Sequence, residues 1–345
     1  MKLRKAFRVG LVGVAHNHVW HILDMLQESG LGVLVAASVE EKPALETRRK
    51  KLREKYGLEK IYNDYREMLN RENLDVIFNY TDHIQRAEVT ELAASKGLHI
   101  MVEKPMAYNL KDAERMLKAT EENGVKLMVN WPTMWSPVYR KAYKLIWSGS
   151  IGRVFHIRAR SGHSGPKKET LADFYDFQWM GLKEAGGAYM DFCCYGVAFA
   201  MSLMGMPKCV FGTAGNFVKS FIPGYDNGIL VLMYEKGTAI VEGTWSQVGR
   251  VPGDPQVFGT EGSIIIGREE LIIFTENKPE GEVVKPDPLP EGERNAVEYF
   301  LTRIREDKPI NGMCNPKFSR DVQEVLEAGL ISSESGKAVK IPIIG

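Results

Sequence analysis

Three side chains in the sequence have types and positions suited to proton transfer on a small molecule. Lys104 ends an apolar segment that predicts a buried strand, and Pro105 follows it. A lysine at the carboxyl end of a central parallel strand points into the crevice where such folds bind ligands, and its ammonium can hold a hydroxyl or lower the pKa of a neighbouring acid. Asp191 and Tyr195 lie four residues apart on a predicted helix, so both side chains share one face. The three residues suit acid–base chemistry, although a D-x-x-x-Y spacing alone is common and usually structural.

The segment GVAHNH, residues 13–18, lies between the first predicted strand and the first predicted helix. A strict G-x-G-x-x-G fingerprint would have glycine where Ala15 and His18 stand. A strand–turn–helix at this place nevertheless presents backbone N–H groups and a helix N-terminus to a phosphate, and alanine is small enough to let a pyrophosphate approach. The turn therefore predicts a dinucleotide site, and a tight turn without a ligand is the alternative.

His16 and His18 allow a second interpretation of the same turn. Metal-dependent barrel hydrolases begin with two imidazoles spaced in this way at the end of their first strand. The other histidines do not fall on successive strand ends, and the strand-rich second half of the chain contradicts an eight-fold βα barrel. We therefore expect no metal site.

The elements that must position these residues follow two plans. Residues 1–130 alternate continuous apolar runs with helical patterns, and strands that are apolar on both faces predict a parallel sheet covered on both sides. The apolar runs are residues 8–14, 33–39, 76–80, 99–103 and 127–129. Residues 131–345 instead predict an α+β domain, with successive strands in an open, mostly antiparallel sheet. One long helix, at about residues 187–204, interrupts these strands.

Composition bounds the kind of protein. The 345 residues suggest two domains, and 45 Lys and Arg against 44 Asp and Glu leave a net charge of +1, which argues against nucleic-acid and membrane partners. Four cysteines without metal spacing fit a reducing compartment. The apolar N-terminal stretch is interrupted by His-Asn-His, which does not fit a signal peptide, so we expect a cytoplasmic protein.

Two local patterns have simple structural interpretations. The basic run of residues 48–51 predicts a solvated helix face. The adjacent Cys193 and Cys194 predict core packing, since a free cysteine behaves as a small hydrophobic residue.

The combination of these features resembles the Gfo/Idh/MocA family of oxidoreductases over nearly the whole chain. The specific elements are Glu-Lys-Pro at the fifth strand and Gly-Gly-x-x-x-Asp in the long helix, and residues 260–263 and 332–342 resemble later family motifs. Residues 76–86 resemble the family's strand followed by T-P-N-x-x-H. The resemblance implies a Rossmann dinucleotide-binding domain in residues 1–130 and a substrate-binding α+β domain in residues 131–345.

The resemblance also implies roles for individual residues. NAD or NADP would bind the first domain, and the substrate would be a sugar, a cyclitol or a derivative. Lys104 and Asp191 match the family's catalytic lysine and aspartate, whereas Tyr195 stands where most members have histidine and a minority have tyrosine. The implied cofactor-binding residues are Gly13, Ala15, His16, Asn17, Ser38, Thr81, Asp82, Arg86, Glu103, Lys104 and Asn130.

The expected reaction is hydride transfer between a secondary C–OH carbon and the nicotinamide. Tyr195 would exchange the hydroxyl proton, Lys104 would polarise the oxygen, and Asp191 would orient the substrate or the tyrosine. The second strand ends at an uncharged residue, which would admit the 2′-phosphate of NADP, but Glu40 and Glu41 would repel that phosphate. We therefore expect NAD to be slightly favoured. A homodimer or homotetramer assembled through the second sheet is also expected.

Two other functions fit the same fold. One is a dinucleotide-responsive sensor without catalysis, and retention of Lys104 with Asp191 speaks against it. The other is an NAD-dependent glycoside hydrolase, in which bound NAD oxidises the sugar transiently.

Overall fold

The computed structural model describes residues 6–173, 175–249, 251 and 255–343, and its chain divides into two compact units. The first unit comprises Met1–Asn130, Glu169–Trp179 and Glu291–Arg320. The second comprises Trp131–Lys168, Met180–Pro290 and Asp321–Gly345. The sequence placed all residues after 130 in the second domain, but two later segments return to the first.

The first unit is built on six strands and five helices that alternate along the chain. They are β1 (Phe7–Val12), α1 (His18–Ser29), β2 (Gly32–Ser38), α2 (Glu46–Tyr56), β3 (Ile61–Tyr62), α3 (Tyr65–Arg71), β4 (Val76–Asn79), α4 (His83–Ser95), β5 (His99–Glu103), α5 (Leu110–Glu122) and β6 (Leu127–Asn130). The strands form a parallel sheet in the order β3-β2-β1-β4-β5-β6. Every residue of β4 and β6 is buried, as a sheet covered on both faces requires.

The strand order creates a switch point next to β1. Successive strands run outward from β1 to β3 on one side and from β4 to β6 on the other. Helices therefore leave the carboxyl ends of β1 and β4 in opposite directions, and open α/β sheets bind ligands in the crevice at such a point. The expected parallel α/β domain is confirmed.

The second unit is built on one large sheet. In chain order, together with α9, which belongs to the first unit, and with α7 and α10, which each have residues in both units, its elements are α6 (Pro137–Trp147), β7 (Val154–Gly162), α7 (Tyr175–Met180), α8 (Cys194–Met204), β8 (Cys209–Gly215), β9 (Asn227–Tyr234), β10 (Gly237–Thr244), β11 (Gln256–Gly259), β12 (Gly262–Ile266), β13 (Leu271–Thr275), β14 (Lys278–Val284), α9 (Ala296–Arg305), α10 (Pro316–Ser335) and β15 (Val339–Lys340). The sheet order is β14-β13-β12-β11-β7-β10-β9-β8-β15, and every pair except β7 with β10 is antiparallel. This confirms the expected mostly antiparallel sheet.

α8 covers one face of this sheet. Gly196 lies against β10, where an added Cβ would come within 2.5 Å of a Val241 methyl group, so glycine permits the close approach. Cys193 and Cys194 are fully buried here, as expected. None of the helices that the structure describes is long and apolar enough to cross a membrane.

Two features differ from the sequence expectation. The helix expected at residues 187–204 contains a π-helical turn, Tyr189–Cys193, before α8 begins. This helix is almost entirely buried, so its sequence has no polar stripe in which a change of helical period would be visible. The segments that return to the first unit include α9, which packs on α1 and has Val297, Phe300 and Leu301 among its buried residues.

Candidate functional site

The turn after β1 is fixed to the two neighbouring strands. Gly13 has φ +76°, and an added Cβ would lie 2.8 Å from the backbone nitrogen of Thr81, so this position requires glycine. The Gly13 N–H donates to the Ser38 carbonyl over 2.8 Å, and the Ala15 N–H donates to the Tyr80 carbonyl over 2.8 Å. The turn is therefore held against the carboxyl ends of β2 and β4.

An open groove of about 210 Å³ lies beside this turn. Five of the residues implied by the family resemblance line it: Gly13, Ala15, Ser38, Thr81 and Asp82. Glu40 lines it as well, and so do Asn63, Tyr65, Arg66 and Gln85, which the sequence analysis did not select. The groove lies at the switch point of the sheet, where open α/β sheets bind ligands, so these residues fit the nucleoside half of a dinucleotide.

Glu103 joins three elements at the end of β5. Its carboxylate is fully buried, with Oε1 2.8 Å from His18 Nδ1 and Oε2 accepting from Asn130 Nδ2 over 3.3 Å. Burial alone would raise the pKa of this carboxyl, but the charge and hydrogen bond of His18, with the charge of Lys104, lower the pKa to about 2. Glu103 is therefore an anion at neutral pH, and the adjacent Lys104 is only 2% exposed.

His16 is buried beside this carboxylate. Its Nδ1 accepts the backbone N–H of His18 over 3.1 Å, and the two imidazole centroids lie 4.1 Å apart. Burial lowers the pKa of His16 well below its usual value, and the charges of His18, Lys104 and Arg86 lower this pKa further. His16 is consequently a neutral imidazole at pH 7.

Arg86 and Asp82 have structural contacts in this unit. The fully buried Arg86 guanidinium donates to the backbone carbonyls of Thr81, Glu103 and Pro105, over 3.0, 2.7 and 2.5 Å. It thereby ties the end of β4 to the residues around Lys104 and does not line the groove. Asp82 caps α4 by accepting the Gln85 N–H over 3.0 Å, and it lines the groove as well.

A buried carboxylate occupies the N-terminus of α1. Asp176 accepts the Asn17 N–H over 3.0 Å through one oxygen and an Arg48 N–H over 2.5 Å through the other. Burial raises the pKa of Asp176, while the charge of Arg48 opposes that rise. In addition, Trp179 Nε1 donates to the Ala15 carbonyl over 2.9 Å. Residues of segment 169–179 thus contact the turn that the sequence assigned to a pyrophosphate.

The expectation of a solvated basic run is wrong for two of its four residues. The Arg48 side chain is only 11% exposed in its pair with Asp176. Arg49 is also buried, and its guanidinium donates to Asn63 Oδ1 over 2.9 Å and to the Val39 carbonyl. Both arginines fasten the start of α2 to the groove, which a run of basic letters does not reveal.

Asp191 and Tyr195 belong to the second unit, on either side of the end of the π-helical turn. Asp191 is buried, and its Oδ2 accepts the indole N–H of Trp245 over 3.1 Å. Tyr195 is partly exposed, and its ring meets the edge of Trp131 at a centroid distance of 6.2 Å. π-helical turns occur frequently at functional sites. Two fully buried tryptophans therefore contact this pair of side chains, and the sequence analysis selected neither of them.

The glycine pair before Asp191 permits close packing of the backbone. Gly187 has φ +55°, and an added Cβ would lie 2.1 Å from the Tyr225 carbonyl oxygen. The backbone before the π-helical turn therefore approaches the start of β9 more closely than any side chain would allow.

Two family models match the chain. Residues 7–131 match a model described as an oxidoreductase family with an NAD-binding Rossmann fold. Residues 139–265 match the GFO/IDH/MocA C-terminal domain. The two matches follow one another and together cover most of the sequence.

Individual relatives agree with these models. Myo-inositol 2-dehydrogenase of Thermotoga maritima is 24% identical over 306 residues, which are 87% of this chain and 84% of that protein. D-xylose 1-dehydrogenase (NADP(+)) 2 of Haloferax volcanii is 25% identical and spans 96% of this chain and 99% of its own. An oxidoreductase from Agrobacterium radiobacter, solved in complex with NAD+, L-tartaric acid and magnesium, superposes with a TM-score of 0.81 at 18% identity, covering 98% of this chain and 99% of its own. At that identity the structural likeness shows the fold alone.

Proposed function

The chain belongs to the Gfo/Idh/MocA family of NAD(P)-binding oxidoreductases, and from this premise we propose that it oxidises a secondary hydroxyl of a sugar, a cyclitol or a related polyol. The observation that carries the proposal is the fully buried Glu103–Lys104 pair at the end of β5, in the same unit as the groove at the switch point of the parallel sheet. The names of the relatives, an inositol and a xylose dehydrogenase, support this substrate class.

The first unit supplies the cofactor contacts in this proposal. Gly13, Ala15, Ser38 and Thr81 would hold the nucleoside half in the groove. A bound nicotinamide supplies the hydride chemistry, and the protein's contribution is placement and proton transfer. Lys104 polarises the reacting oxygen, and Arg86 acts as a positioning residue because it fixes the backbone on both sides of Lys104.

The second unit supplies the proton carrier. We assign proton exchange with the substrate hydroxyl to Tyr195, which is partly exposed, and orientation to Asp191, which the Trp245 indole holds. An ordinary tyrosine pKa is about 10, so a phenolate near neutral pH needs a cation, and we assign that function to Lys104. The groups are expected to titrate as a coupled set.

The proposal is tested by the absorbance of reduced nicotinamide during incubation with NAD or NADP and a panel of cyclitols and aldoses. Reduction that depends on one polyol class supports the proposal. Compounds that bind the folded protein are identified because they raise its thermal unfolding temperature. If none of these compounds yields reduced nicotinamide, the dehydrogenase assignment is wrong. Release of a sugar from a glycoside without net reduction would indicate the glycoside hydrolase instead.

Tyr195→Phe should lower kcat by roughly two to four orders of magnitude with little change in cofactor affinity, because general acid–base catalysis contributes about that much. Tyr195→His should retain some activity and shift the pH optimum for oxidation downward. Lys104→Ala should be at least as damaging, since it removes both the polarising charge and the cation for the phenolate. Tyr56→Phe is the matched control, because it also removes a tyrosine hydroxyl, and that hydroxyl contacts Asp24 and the Trp20 carbonyl, which are not part of the proposed site. Wild-type turnover by Tyr195→Phe across the pH range would exclude this residue as the proton carrier.

Two further properties belong to the proposal. A cytoplasmic location is supported by the four cysteines, all within the described residues and all free thiols. A homodimer or homotetramer through the second sheet is supported by exposed apolar side chains on the sheet face opposite α8, and its test is given below.

A further inference from the structure

His16, His18 and Glu103 lie together at the carboxyl ends of β1 and β5, and we propose that they bind a divalent transition-metal ion, with zinc as the first candidate. Each residue offers one ligand atom, and these atoms all lie within 4.8 Å of one another. His16 and Glu103 are buried, and the His18 side chain is 33% exposed, which leaves a path for an ion from solvent.

The fold, rather than the histidine spacing, creates this cluster. In the sequence, His16-x-His18 suggested a metal only for a barrel that this chain does not form. β4 alone separates β1 from β5 in the sheet, so Glu103 reaches the histidines from 85 residues further along the chain. The third ligand is therefore a residue that the sequence analysis assigned to the cofactor.

The ligand atoms would have to move to accommodate an ion. A tetrahedral zinc ion with bonds of about 2.0–2.2 Å separates its ligand atoms by about 3.4 Å. His18 Nδ1 and Glu103 Oε1 are 2.8 Å apart, so this pair would open by about half an ångström. All three ligand atoms lie within 4.8 Å of one another, so the remaining pairs would close by at most about 1.4 Å.

The donor types select the class of metal. Two imidazoles and one carboxylate suit zinc and its first-row neighbours, whereas magnesium and calcium prefer oxygen ligands alone. Three protein ligands also leave a coordination position open, as in catalytic rather than structural zinc sites.

Existing interactions limit the affinity. If His16 Nδ1 binds the ion, the hydrogen bond from the His18 N–H is lost. If Nε2 binds instead, Nδ1 must carry the proton and can no longer accept that bond. The charges of Lys104 and Arg86 also act on this cluster. We therefore expect weaker binding than at a structural zinc site, and we expect Lys104→Met to strengthen it.

The test is calorimetric titration of the full chain, without a histidine tag and after removal of metals by a chelator, with Zn²⁺, Mn²⁺ and Mg²⁺. One Zn²⁺ per chain should bind, and Mg²⁺ should bind at least tenfold more weakly. His18→Ala should weaken Zn²⁺ binding by at least about tenfold, the lower end of losses measured even for residues that only support a ligand. His21→Ala is the matched control, because His21 is an exposed histidine on the same helix.

A spectroscopic measurement separates ligation from nonspecific binding. Co²⁺ bound by these ligands should give visible absorption that His16→Ala and Glu103→Gln alter and that His21→Ala preserves. Circular dichroism identifies any variant that fails to fold. If His16→Ala or Glu103→Gln fails to fold, the result rests on His18→Ala alone, because the His18 side chain is partly exposed. Absence of stoichiometric Zn²⁺ binding, or equal loss in His18→Ala and His21→Ala, would overturn the proposal. Both measurements are independent of dehydrogenase activity.

Discussion

At the scale of single residues, the Asp176–Arg48 pair shows how strongly burial changes an ion pair. Both side chains are about one-tenth exposed, and the carboxylate also accepts the Asn17 N–H. Removing one partner leaves a buried charge uncompensated, which typically destabilises a protein by about 3–5 kcal/mol. Asp176→Ala should therefore lower the free energy of unfolding by an amount near this range, measured by urea denaturation.

The matched control is Glu54→Ala, which removes the acid of the exposed pair with Lys50. It should change the free energy of unfolding by no more than about 1 kcal/mol, as exposed ion pairs do. A double-mutant cycle with Arg48→Ala completes the test. Additive effects of the two substitutions would show that Asp176 and Arg48 do not stabilise one another.

His83 links stability to pH through its burial. Burial lowers the pKa of this histidine well below 6.5, and the charges of Arg86 and Lys104 lower the pKa further. Its stabilising contribution is complete above the unfolded pKa of about 6.5 and is lost as the pH falls, because the unfolded chain then takes up a proton that the folded chain does not.

The free energy of unfolding should therefore fall toward pH 5, with His83 contributing up to about 1.4 kcal/mol per pH unit. His83→Gln should reduce that slope, measured by urea denaturation between pH 7.5 and 5. His21→Gln, at an exposed position, should leave the slope unchanged. An identical slope in His83→Gln and wild type would mean that His83 is protonated in the folded protein.

At the scale of the elements, the end of β2 determines which dinucleotide fits. Ser38 and Glu40 both line the groove, and Glu40 pairs with Lys42. A carboxylate here repels the 2′-phosphate of NADP more than it affects NAD, whereas Arg66 on the groove wall would attract that phosphate. These opposing charges predict a modest preference for NAD.

Glu40→Gln should strengthen the binding of NADP relative to NAD, and Arg66→Gln should weaken the binding of NADP relative to NAD. The dissociation constants of the reduced forms, NADH and NADPH, are measured by titration of their fluorescence. A wild-type preference for NADP above about a hundredfold, roughly 2.7 kcal/mol, would contradict the prediction.

The elements were predictable from the sequence where a strand is buried on both faces of the sheet. β4 and β5 are short, apolar runs between amphipathic helices, so the position of Lys104 at a buried strand end follows from the sequence. The Arg48–Asp176 contact does not, because it joins residues 128 apart through a segment that the sequence assigned to the other domain. The same limit applies to Glu103 beside His18, since local patterns do not encode which side chains meet across a sheet.

At the scale of the whole molecule, the chain returns twice to its first unit after residue 130. Segment 169–179 contacts the turn after β1, and α9 packs on α1. Truncation of the chain after residue 130 would leave the buried Arg48 without Asp176 and the apolar side of α1 without α9. The dinucleotide-binding unit is therefore discontinuous in sequence.

Within the described residues, the large sheet of the second unit has exposed apolar side chains on the face of β8 and β9 that α8 does not cover. The strand register places Phe211, Ile229 and Met233 on one face of β8 and β9, and their exposed fractions are 44%, 43% and 38%. α8 covers the opposite face, where Val241 and Ala159 contact Gly196. Burial of such a face between two copies stabilises association in proportion to the apolar area removed from water.

We therefore expect sedimentation at micromolar concentration to show a multiple of the 38.8 kDa chain mass. Phe211→Arg combined with Ile229→Arg should shift the protein toward the monomer, because an interface of roughly 800 Å² per partner does not tolerate two unpaired buried charges. Val33→Arg is the matched control, since Val33 is 51% exposed on β2 of the first unit. The expectation is wrong if the wild-type chain sediments as a single species near its chain mass. It is equally wrong if the double variant keeps the wild-type assembly, because association would then use another surface.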